Sequence, residues 1–287
     1  MAELRRDPLT GARVMVRGSR QGRPRTRGAD CPFCPGGLEA PEPYRVRRFP
    51  NRWPALEAGR CEVLLYSPDH AASWATMGEE QAVRAVELWG ECTRSLSALP
   101  DVGYVLLFEN RGAEAGATVD HPHGQAFGLA DVPPTAAAQL RGGSDGSDEC
   151  PLCAGPAKEL LVAEDDEWWA WVPRAPIYPY TVRLAPRAHL AGLPDCDAND
   201  RRSLARLLSG VVGRFERFFA GPAPYFLWVH QHPADGGTWP RAHLYVEIVS
   251  VWRSPGVPRY IAAGELGSGI FFTPLEPEVA AERLREA

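Results

Sequence analysis

The segment VDHPHGQAF, residues 119–127, contains two histidines, His121 and His123, separated by one proline. Side chains at positions i and i+2 of a strand point to the same face of a sheet, so both imidazoles are expected to face one site. Such a pair is either structural, or one histidine binds a metal ion while the other takes part in a reaction. The second interpretation requires further metal ligands elsewhere in the chain.

Two Cys-x-x-C motifs supply such ligands, with Cys31 and Cys34 in the first half and Cys150 and Cys153 in the second. The first residues lack the apolar core of a signal peptide, so we expect a cytoplasmic protein. In that compartment a Cys-x-x-C motif indicates metal or redox chemistry more often than a structural disulfide.

The chain also contains an internal repeat. The first half reads CPFC, LLYSPDH, a helical segment, GYVLLFEN and HPHGQAF, and the second reads CPLC, VRLAPRAH, a helical segment, PYFLWVHQ and RAHLYVEI. In both halves a histidine, His70 or His189, follows the last cysteine of the motif by 36 residues. Five shared elements in the same order predict a tandem duplication.

Each half is expected to contain strands, then one amphipathic helix, then more strands. Apolar residues with a period near 3.6 mark the helices. They are Val83, Val86, Trp89 and Leu96 in the first half, and Leu204, Leu207, Val211, Phe215 and Phe218 in the second. Because strands and helices do not alternate, we predict an α+β fold, with antiparallel sheets and helices packed on one face.

The duplication also predicts the domain boundaries. An N-terminal domain is expected over residues 1–132 and a C-terminal domain over residues 150–287. Residues 133–149 are polar and rich in Gly, Ser and Pro, a composition typical of a linker.

Structural zinc sites use four Cys or His ligands in a tetrahedral arrangement. Such a set is offered by Cys31, Cys34, His70 and one histidine of the HPH segment. The alternative is a chance Cys-x-x-C motif beside ordinary histidines, which the repeated spacing makes less favourable. Because these ligands join distant segments, the ion is expected to stabilise the fold rather than to catalyse.

The second half repeats the first three ligands with Cys150, Cys153 and His189. If His243 is aligned with His123, Arg241 takes the place of His121. The fourth ligand is then His243, His230 or a water molecule, with His232 a less favoured neighbour.

If His121 binds a metal ion, His123 stays on the same face and can react. A neutral imidazole is a nucleophile towards phosphorus when its other nitrogen is held by an acceptor. Developing negative charge would be stabilised by Gln125, Thr118 and Asn110. Two arginines of SRQGRP, Arg20 and Arg23, suit phosphate oxygens, and a solvated basic loop explains them equally well.

Composition excludes two classes of partner. The net charge is −5 and no long basic run occurs, which argues against a general nucleic-acid-binding surface. No apolar run approaches the ~20 residues that a membrane span needs.

The segments DPLTGARVMV, SRQGRP, CPFCPGG, SPDH, FENRG and HPHGQ, in this order, resemble the galactose-1-phosphate uridylyltransferase family, the transferase branch of the histidine-triad superfamily. The resemblance covers nearly the whole chain, including PRAH and the terminal YIAAGELGSGIFF. It implies two histidine-triad-like units, zinc as a bound metal, iron as a possible ion in the second site, and a homodimer. Nucleotide sugars and sugar phosphates are the substrates that it implies.

The resemblance also implies a ping-pong reaction, in which His123 takes UMP from UDP-glucose and galactose 1-phosphate then accepts it. His121 becomes a zinc ligand with Cys31, Cys34 and His70, and Gln125 replaces the third histidine of hydrolytic histidine-triad proteins. The remaining implied contacts are Arg20, Arg23, Asn110 and Thr118 for phosphates, Phe49, Asn51 and Trp53 for the nucleoside, and Arg259 and Glu265 for the hexose phosphate, the last two from the other subunit.

Some residues depart from the family pattern. Arg52 stands where an acidic residue commonly occurs, Asp120 stands where proline is frequent, and LGSGIFF lacks an expected glutamine. The second Cys-x-x-C motif and ELGSGIFF are closer to phosphorylases that act on ADP-glucose. Three hypotheses follow: a uridylyltransferase, an ADP-sugar phosphorylase or paralogue with another nucleotide sugar, and a non-catalytic, zinc-stabilised nucleotide-binding protein.

Overall fold

The computed structural model describes residues 3–17, 31–57, 59–140 and 149–287. The first half contains β1 (Glu3–Arg6), β2 (Arg13–Val16), β3 (Arg47–Pro50), β4 (Cys61–Leu65), α1 (Glu79–Ser97), β5 (Tyr104–Arg111), β6 (His123–Leu129) and α2 (Pro134–Leu140). The second contains β7 (Leu161–Glu164), β8 (Trp168–Trp171), β9 (Thr181–Pro186), α3 (Ala198–Phe218), β10 (Tyr225–His230), β11 (Tyr245–Ser250), β12 (Trp252–Ser254), β13 (Val257–Pro258), α4 (Ala263–Ser268) and α5 (Pro277–Glu286). Short 3₁₀ turns occur at Ala113–Ala115, Lys158–Leu160 and Leu193–Asp195.

Nine of these strands form one sheet in the order β3-β4-β6-β5-β10-β11-β9-β8-β7. Every pairing in it is antiparallel. From edge to centre, the order β3, β4, β6, β5 in the first half matches β8, β9, β11, β10 in the second, with β7 added at the outer edge. The predicted α+β fold with a duplicated antiparallel unit is therefore confirmed. One sheet runs through both halves, and their division into two domains stays a prediction.

The long helices α1 and α3 pack against each other and against the sheet. Their predicted apolar faces supply core residues, among them Val86, Trp89, Leu204 and Phe215. Helix α3 begins at a capping box, because the Asp197 carboxylate accepts hydrogen bonds from the backbone N–H groups of Asn199 (2.7 Å) and Asp200 (2.9 Å). Both helices thus cover one face of the sheet, as the sequence predicts.

A buried carboxylate lies where the two halves meet. Glu109 on β5 is 2% exposed, and it accepts hydrogen bonds from the Trp74 indole (2.9 Å) and from the Tyr225 hydroxyl of β10 (2.7 Å). Burial raises the pKa of Glu109. The carboxyl group therefore joins the central strands of the two halves through satisfied hydrogen bonds rather than through an ion pair.

The segment predicted as a linker begins with a helix, because Pro134–Leu140 form α2. Residues 141–148 of that segment lie outside the described residues. Among the helices that the structure describes, none has the length and apolar character needed to cross a bilayer.

Candidate functional site

The two histidines of the HPH segment lie at the start of β6. His123 is the first residue of the strand and His121 precedes it by two positions. Both are buried, and both contact the ring of Phe33, whose centroid lies 6.3 Å from that of His121 and 5.0 Å from that of His123. The structure thus brings both imidazoles to one side of the strand, against the CPFC loop.

The tautomer of His123 is fixed by the backbone. Its Nδ1 lies 2.7 Å from the carbonyl oxygen of His121, and a carbonyl only accepts hydrogen bonds. Nδ1 therefore carries the proton and the lone pair lies on Nε2. A neutral imidazole held in this way is prepared to act as a nucleophile through Nε2.

The first metal-ligand cluster contains Cys31, Cys34, His70 and His121, whose ligand atoms all lie within 4.8 Å of one another. The Cys34 sulfur is 3.5 Å from Nδ1 of His70 and 3.6 Å from Nδ1 of His121. Two thiolates and two imidazoles are a donor set typical of structural zinc sites. These residues can therefore hold a metal ion directly beside the HPH segment.

The second nitrogen of His121 is held by groups outside the cluster. Nε2 lies 2.7 Å from the Ser67 carbonyl oxygen and 2.9 Å from the Tyr44 hydroxyl, which itself donates to the Phe33 carbonyl (2.7 Å). Burial lowers the pKa of His121 and so favours the neutral imidazole. This arrangement keeps the proton on Nε2 and directs Nδ1 to the metal site.

The second cluster contains Cys150, Cys153, His189 and His243, with ligand atoms again within 4.8 Å of one another. The Cys150 sulfur is 3.3 Å from Nδ1 of His243, and the Cys153 sulfur is 3.1 Å from Nδ1 of His189. Nε2 of His243 lies 2.9 Å from the Pro186 carbonyl oxygen, as Nε2 of His121 lies beside that of Ser67. The second cluster thus repeats the geometry of the first.

This geometry corrects the internal alignment. His243 precedes β11 by two positions, as His121 precedes β6, so Tyr245 and not His243 corresponds to His123. Placing Arg241 in the position of His121 was wrong, because the loop before β11 is longer than the loop before β6. His230 and His232 are not part of the cluster, and Nε2 of His230 instead accepts a hydrogen bond from the Trp228 indole at 2.8 Å.

Gln125 is oriented by a short chain of hydrogen bonds. The Trp53 backbone N–H donates to Oδ1 of Asn51 (2.8 Å), and Nδ2 of Asn51 donates to Oε1 of Gln125 (3.1 Å). The Gln125 amide therefore presents its NH₂ group as a donor. A small cavity of about 40 Å³ lies here, lined among others by Phe33, Asn51, Trp53, Thr118, His123 and Gln125.

Other residues that the sequence assigns to the site have different surroundings. Asn110 lies half-buried on β5, opposite Phe226, and does not line this cavity. Phe49 packs edge-to-face on Phe33, with ring centroids 5.9 Å apart. Arg20 and Arg23 lie outside the described residues.

Arg259 and Glu265 are both buried and bond to each other, with Nη1 and Oε2 3.1 Å apart. Glu265 also accepts hydrogen bonds from the backbone N–H groups of Ala262 (2.8 Å) and Phe272 (2.9 Å). The Arg259 guanidinium and these two N–H groups lower the pKa of Glu265 to about 2. The pair thus holds the α4 segment together.

Sequence reasoning missed two residues of the site. Phe33 lies within the CPFC motif. Its position between the two predicted ligands Cys31 and Cys34 indicates that its ring lies close to the metal site. Tyr44 is separated in sequence from every motif, and only the folded chain brings its hydroxyl to Nε2 of His121.

Gly124, between His123 and Gln125, permits close packing under the site. A Cβ atom there would lie 1.9 Å from the hydroxyl oxygen of Tyr66, which is buried and accepts a hydrogen bond from the Trp89 indole. We expect Gly124→Ala to lower the free energy of unfolding by about 1–3 kcal/mol, the usual cost of overpacking a core. Thermal unfolding measures the change.

Gly128→Ala is the matched control on the same strand. Its Cβ would meet a methyl group of Val102 at 3.1 Å, which can move. An equal loss of stability in both variants would show that Tyr66 is not the cause.

With this geometry in place, comparison with known proteins identifies the family. A family model described as galactose-1-phosphate uridyl transferase, N-terminal domain, matches residues 51–133. A galactose-1-phosphate uridylyltransferase from Thermotoga maritima is 32% identical over 100% of this chain and 98% of its own length. An ADP-glucose phosphorylase from Arabidopsis thaliana is 26% identical over 99% of this chain and 92% of its own.

Solved structures agree with these sequence relatives. A structure described as uridylyltransferase superposes with a TM-score of 0.90, at 28% identity, over 100% of this chain and 98% of that one. The sheet order, the HPHGQ segment at the start of β6 and a relative more than 30% identical over nearly its full length lead to one conclusion. The chain belongs to the galactose-1-phosphate uridylyltransferase family.

Proposed function

We propose that the chain is a nucleotidyltransferase that moves UMP from UDP-glucose to a hexose 1-phosphate, namely galactose 1-phosphate. The observation that carries the proposal is His123, whose Nδ1 is held by the His121 carbonyl so that the lone pair lies on Nε2, in the cavity that Gln125 also lines. Membership of the family supports the choice of substrates.

The reaction then proceeds in two displacements. Nε2 of His123 attacks the α-phosphorus of UDP-glucose, the N–P bond forms, and the bond from that phosphorus to the bridging oxygen breaks with its electron pair leaving on glucose 1-phosphate. A phosphate oxygen of galactose 1-phosphate next attacks the same phosphorus and releases His123. The Nδ1 proton stays on the imidazole throughout, held by the His121 carbonyl.

Gln125 supports transfer over hydrolysis. Its amide is oriented by Asn51, so its NH₂ group can donate to a phosphate oxygen as negative charge develops. An amide neither accepts nor releases a proton near pH 7, unlike an imidazole. Water needs a base to attack the intermediate, whereas a phosphate oxygen is already anionic, so the intermediate awaits a phosphate acceptor.

We expect Gln125→His to raise hydrolysis relative to transfer by roughly 10²-fold or more, the range of general acid–base catalysis. The measurement compares UMP with UDP-galactose formed from UDP-glucose, with and without galactose 1-phosphate. Gln125→Asn is the control, because it shortens the side chain without adding a titratable group. An unchanged ratio in Gln125→His would refute this role of Gln125.

Zinc is the metal we propose for both clusters, because each offers two thiolates and two imidazoles. Iron in the second cluster is the alternative. When bound, the ion crosslinks segments that are distant in sequence. No disulfide occurs among the described residues, which is consistent with a cytoplasmic enzyme.

A homodimer is proposed from the exposed apolar side chains around α4. The exposed fractions are 77% for Tyr260, 73% for Leu266, 63% for Ile270, 40% for Phe271 and 66% for Phe272. A cluster of this kind supports a protein–protein contact. Light scattering during size-exclusion chromatography tests the oligomeric state, and Leu266→Glu is expected to weaken the dimer.

The alternative donor is ADP-glucose, with inorganic phosphate as acceptor. Arg52, which is exposed beside Asn51, replaces an acidic residue, and the Arabidopsis relative supports this choice. The test is intact-protein mass spectrometry after incubation with UDP-glucose or ADP-glucose in the absence of acceptor.

A mass gain of one UMP is the expected result. A gain of one AMP with ADP-glucose, and none with UDP-glucose, would replace the uridylyl proposal with the phosphorylase. No adduct from either donor in metal-loaded protein would favour a protein that binds nucleotide without transferring it.

A further inference from the structure

The second half contains its own cavity at the place that corresponds to the HPHGQ site. Tyr245 takes the position of His123, and His230 lies opposite Tyr245 in the pairing of β10 with β11. Trp228 faces Glu247 as Phe108 faces Gln125, so the two sites correspond strand by strand. The cavity has a volume of about 360 Å³, against about 40 Å³ in the first half.

One side chain in this cavity has an unused hydrogen-bond donor. His230 is 8% exposed, and its Nε2 accepts from the Trp228 indole, which can only donate. The neutral imidazole must therefore carry its proton on Nδ1, and that nitrogen is buried without a hydrogen-bond partner. A buried donor left unpaired is unfavourable, and a ligand with an acceptor oxygen would satisfy it.

The charges around the cavity favour an anion. Arg183 and Arg241 line it, and among its described lining residues none is Asp or Glu. Arg183 is paired with Glu247 at 2.5 Å through Nε, so its two terminal amino groups are not used in that bond, and Glu247 does not line the cavity. Guanidinium groups bind phosphate oxygens well.

The remaining walls are suited to a bound molecule larger than a free ion. The Tyr245 ring stacks on His230 at 4.5 Å, and α2 closes one side with Ala136, Ala138, Gln139 and Leu140. Tyr245 begins β11 as His123 begins β6, and its phenol is a weaker nucleophile than a neutral imidazole. The cavity can therefore bind a ligand but lacks the nucleophile that His123 provides in the first half.

We propose that this cavity is a second, non-catalytic binding site for a phosphate monoester, either a nucleoside monophosphate or a sugar phosphate. Its phosphate oxygens would accept from Nδ1 of His230 and from the two arginines, and its sugar or base would fill the space below α2. The site does not depend on transfer at His123.

Equilibrium dialysis of the metal-loaded protein with labelled UMP, and separately with labelled glucose 1-phosphate, tests the proposal. Ala138→Trp places an indole in the cavity from an exposed position on α2, so it should block the site without disturbing the core. Thr135→Trp, also exposed on α2 but outside the cavity, is the matched control. We expect the wild type to bind UMP or glucose 1-phosphate in the second site at one equivalent per chain. Ala138→Trp should lose that equivalent, and Thr135→Trp should keep it.

His230→Phe is a second variant that keeps the stacked ring and removes the donor. It should weaken binding of that equivalent about tenfold or more. If Ala138→Trp binds both probes as the wild type does, the proposal is overturned. The nucleotidyl adduct on His123 is followed in every variant, so a failure of transfer and a failure of this second site give different results.

Discussion

Replacing His123 with alanine is expected to abolish the nucleotidyl adduct and to lower kcat by a factor on the order of 10⁴ or more. The hydrogen bond from Nδ1 to the His121 carbonyl places the imidazole lone pair on Nε2, and His123 lines the same small cavity as Gln125. Alanine removes the nucleophile, and direct attack by one sugar phosphate on a nucleotide sugar would need both substrates bound together.

Intact-protein mass spectrometry with UDP-glucose measures the adduct, and conversion of galactose 1-phosphate measures turnover. His232→Ala is the matched control, because His232 is an exposed histidine outside the site whose Nδ1 lies 2.7 Å from the adjacent Pro233 carbonyl oxygen. An adduct that persists in His123→Ala would place the nucleophile elsewhere. Transfer that persists without any adduct would replace the ping-pong reaction with a single displacement.

The fold could be predicted to a large extent because the duplication repeats long, regular signals. The apolar periods of α1 and α3 and the strand-forming runs after them mark the same elements twice, and each copy supports the other. The sequence did not predict α2, because its seven residues are too few to show an amphipathic period and they lie in a segment whose Gly, Ser and Pro indicate a linker. Pro134 at the first position and the three alanines are compatible with the helix that forms. The continuous sheet depends on the pairing of β5 with β10, for which neither strand carries a local signal.

The site could be predicted only as far as its motifs extend. Residue type and spacing mark His121, His123 and the cysteines. Metal binding and nucleophilic attack each need particular side chains at particular spacings, so these residues can be recognised in the sequence. The alignment of the second half failed at Arg241 because it counted residues through a loop of different length. Tyr44 carries no signal at all, since a hydroxyl that supports a ligand from a distant segment leaves no pattern in the sequence.

Comparing His121→Ala with His243→Ala separates the role of the first metal cluster from that of the second. The two histidines have matching environments, since each precedes a strand by two positions and each holds Nε2 against a backbone carbonyl. Each substitution removes one of four proposed ligands. Removing a residue that hydrogen-bonds to a metal ligand lowers metal affinity by about 10- to 100-fold. Removing the ligand itself is therefore expected to lower the affinity by more than about 100-fold. Metal analysis after dialysis is expected to show one ion fewer in each variant.

The effect on transfer should differ between the two variants. The carbonyl that holds Nδ1 of His123 belongs to His121, so a metal ion bound in the first cluster would anchor the residue that orients the proposed nucleophile. A displacement of about 1 Å at a reacting group can cost 10²-fold in rate, and we expect at least that loss of adduct formation in His121→Ala. In the second half Tyr245 stands where the nucleophile would be, so His243→Ala should keep a rate near that of the wild type while losing stability.

The test measures the rate of adduct formation and the thermal unfolding of both variants, each with known metal content. These data show whether the first cluster acts on the orientation of His123 or only on stability. If both variants lose adduct formation equally, the metal ions act only by stabilising the single sheet that joins the two halves. If neither loses it, the orientation of His123 is fixed by β6 alone, through its pairing with β4 and β5. A selective loss in His121→Ala means that a cluster which takes no part in the chemistry still determines the rate, through one backbone carbonyl.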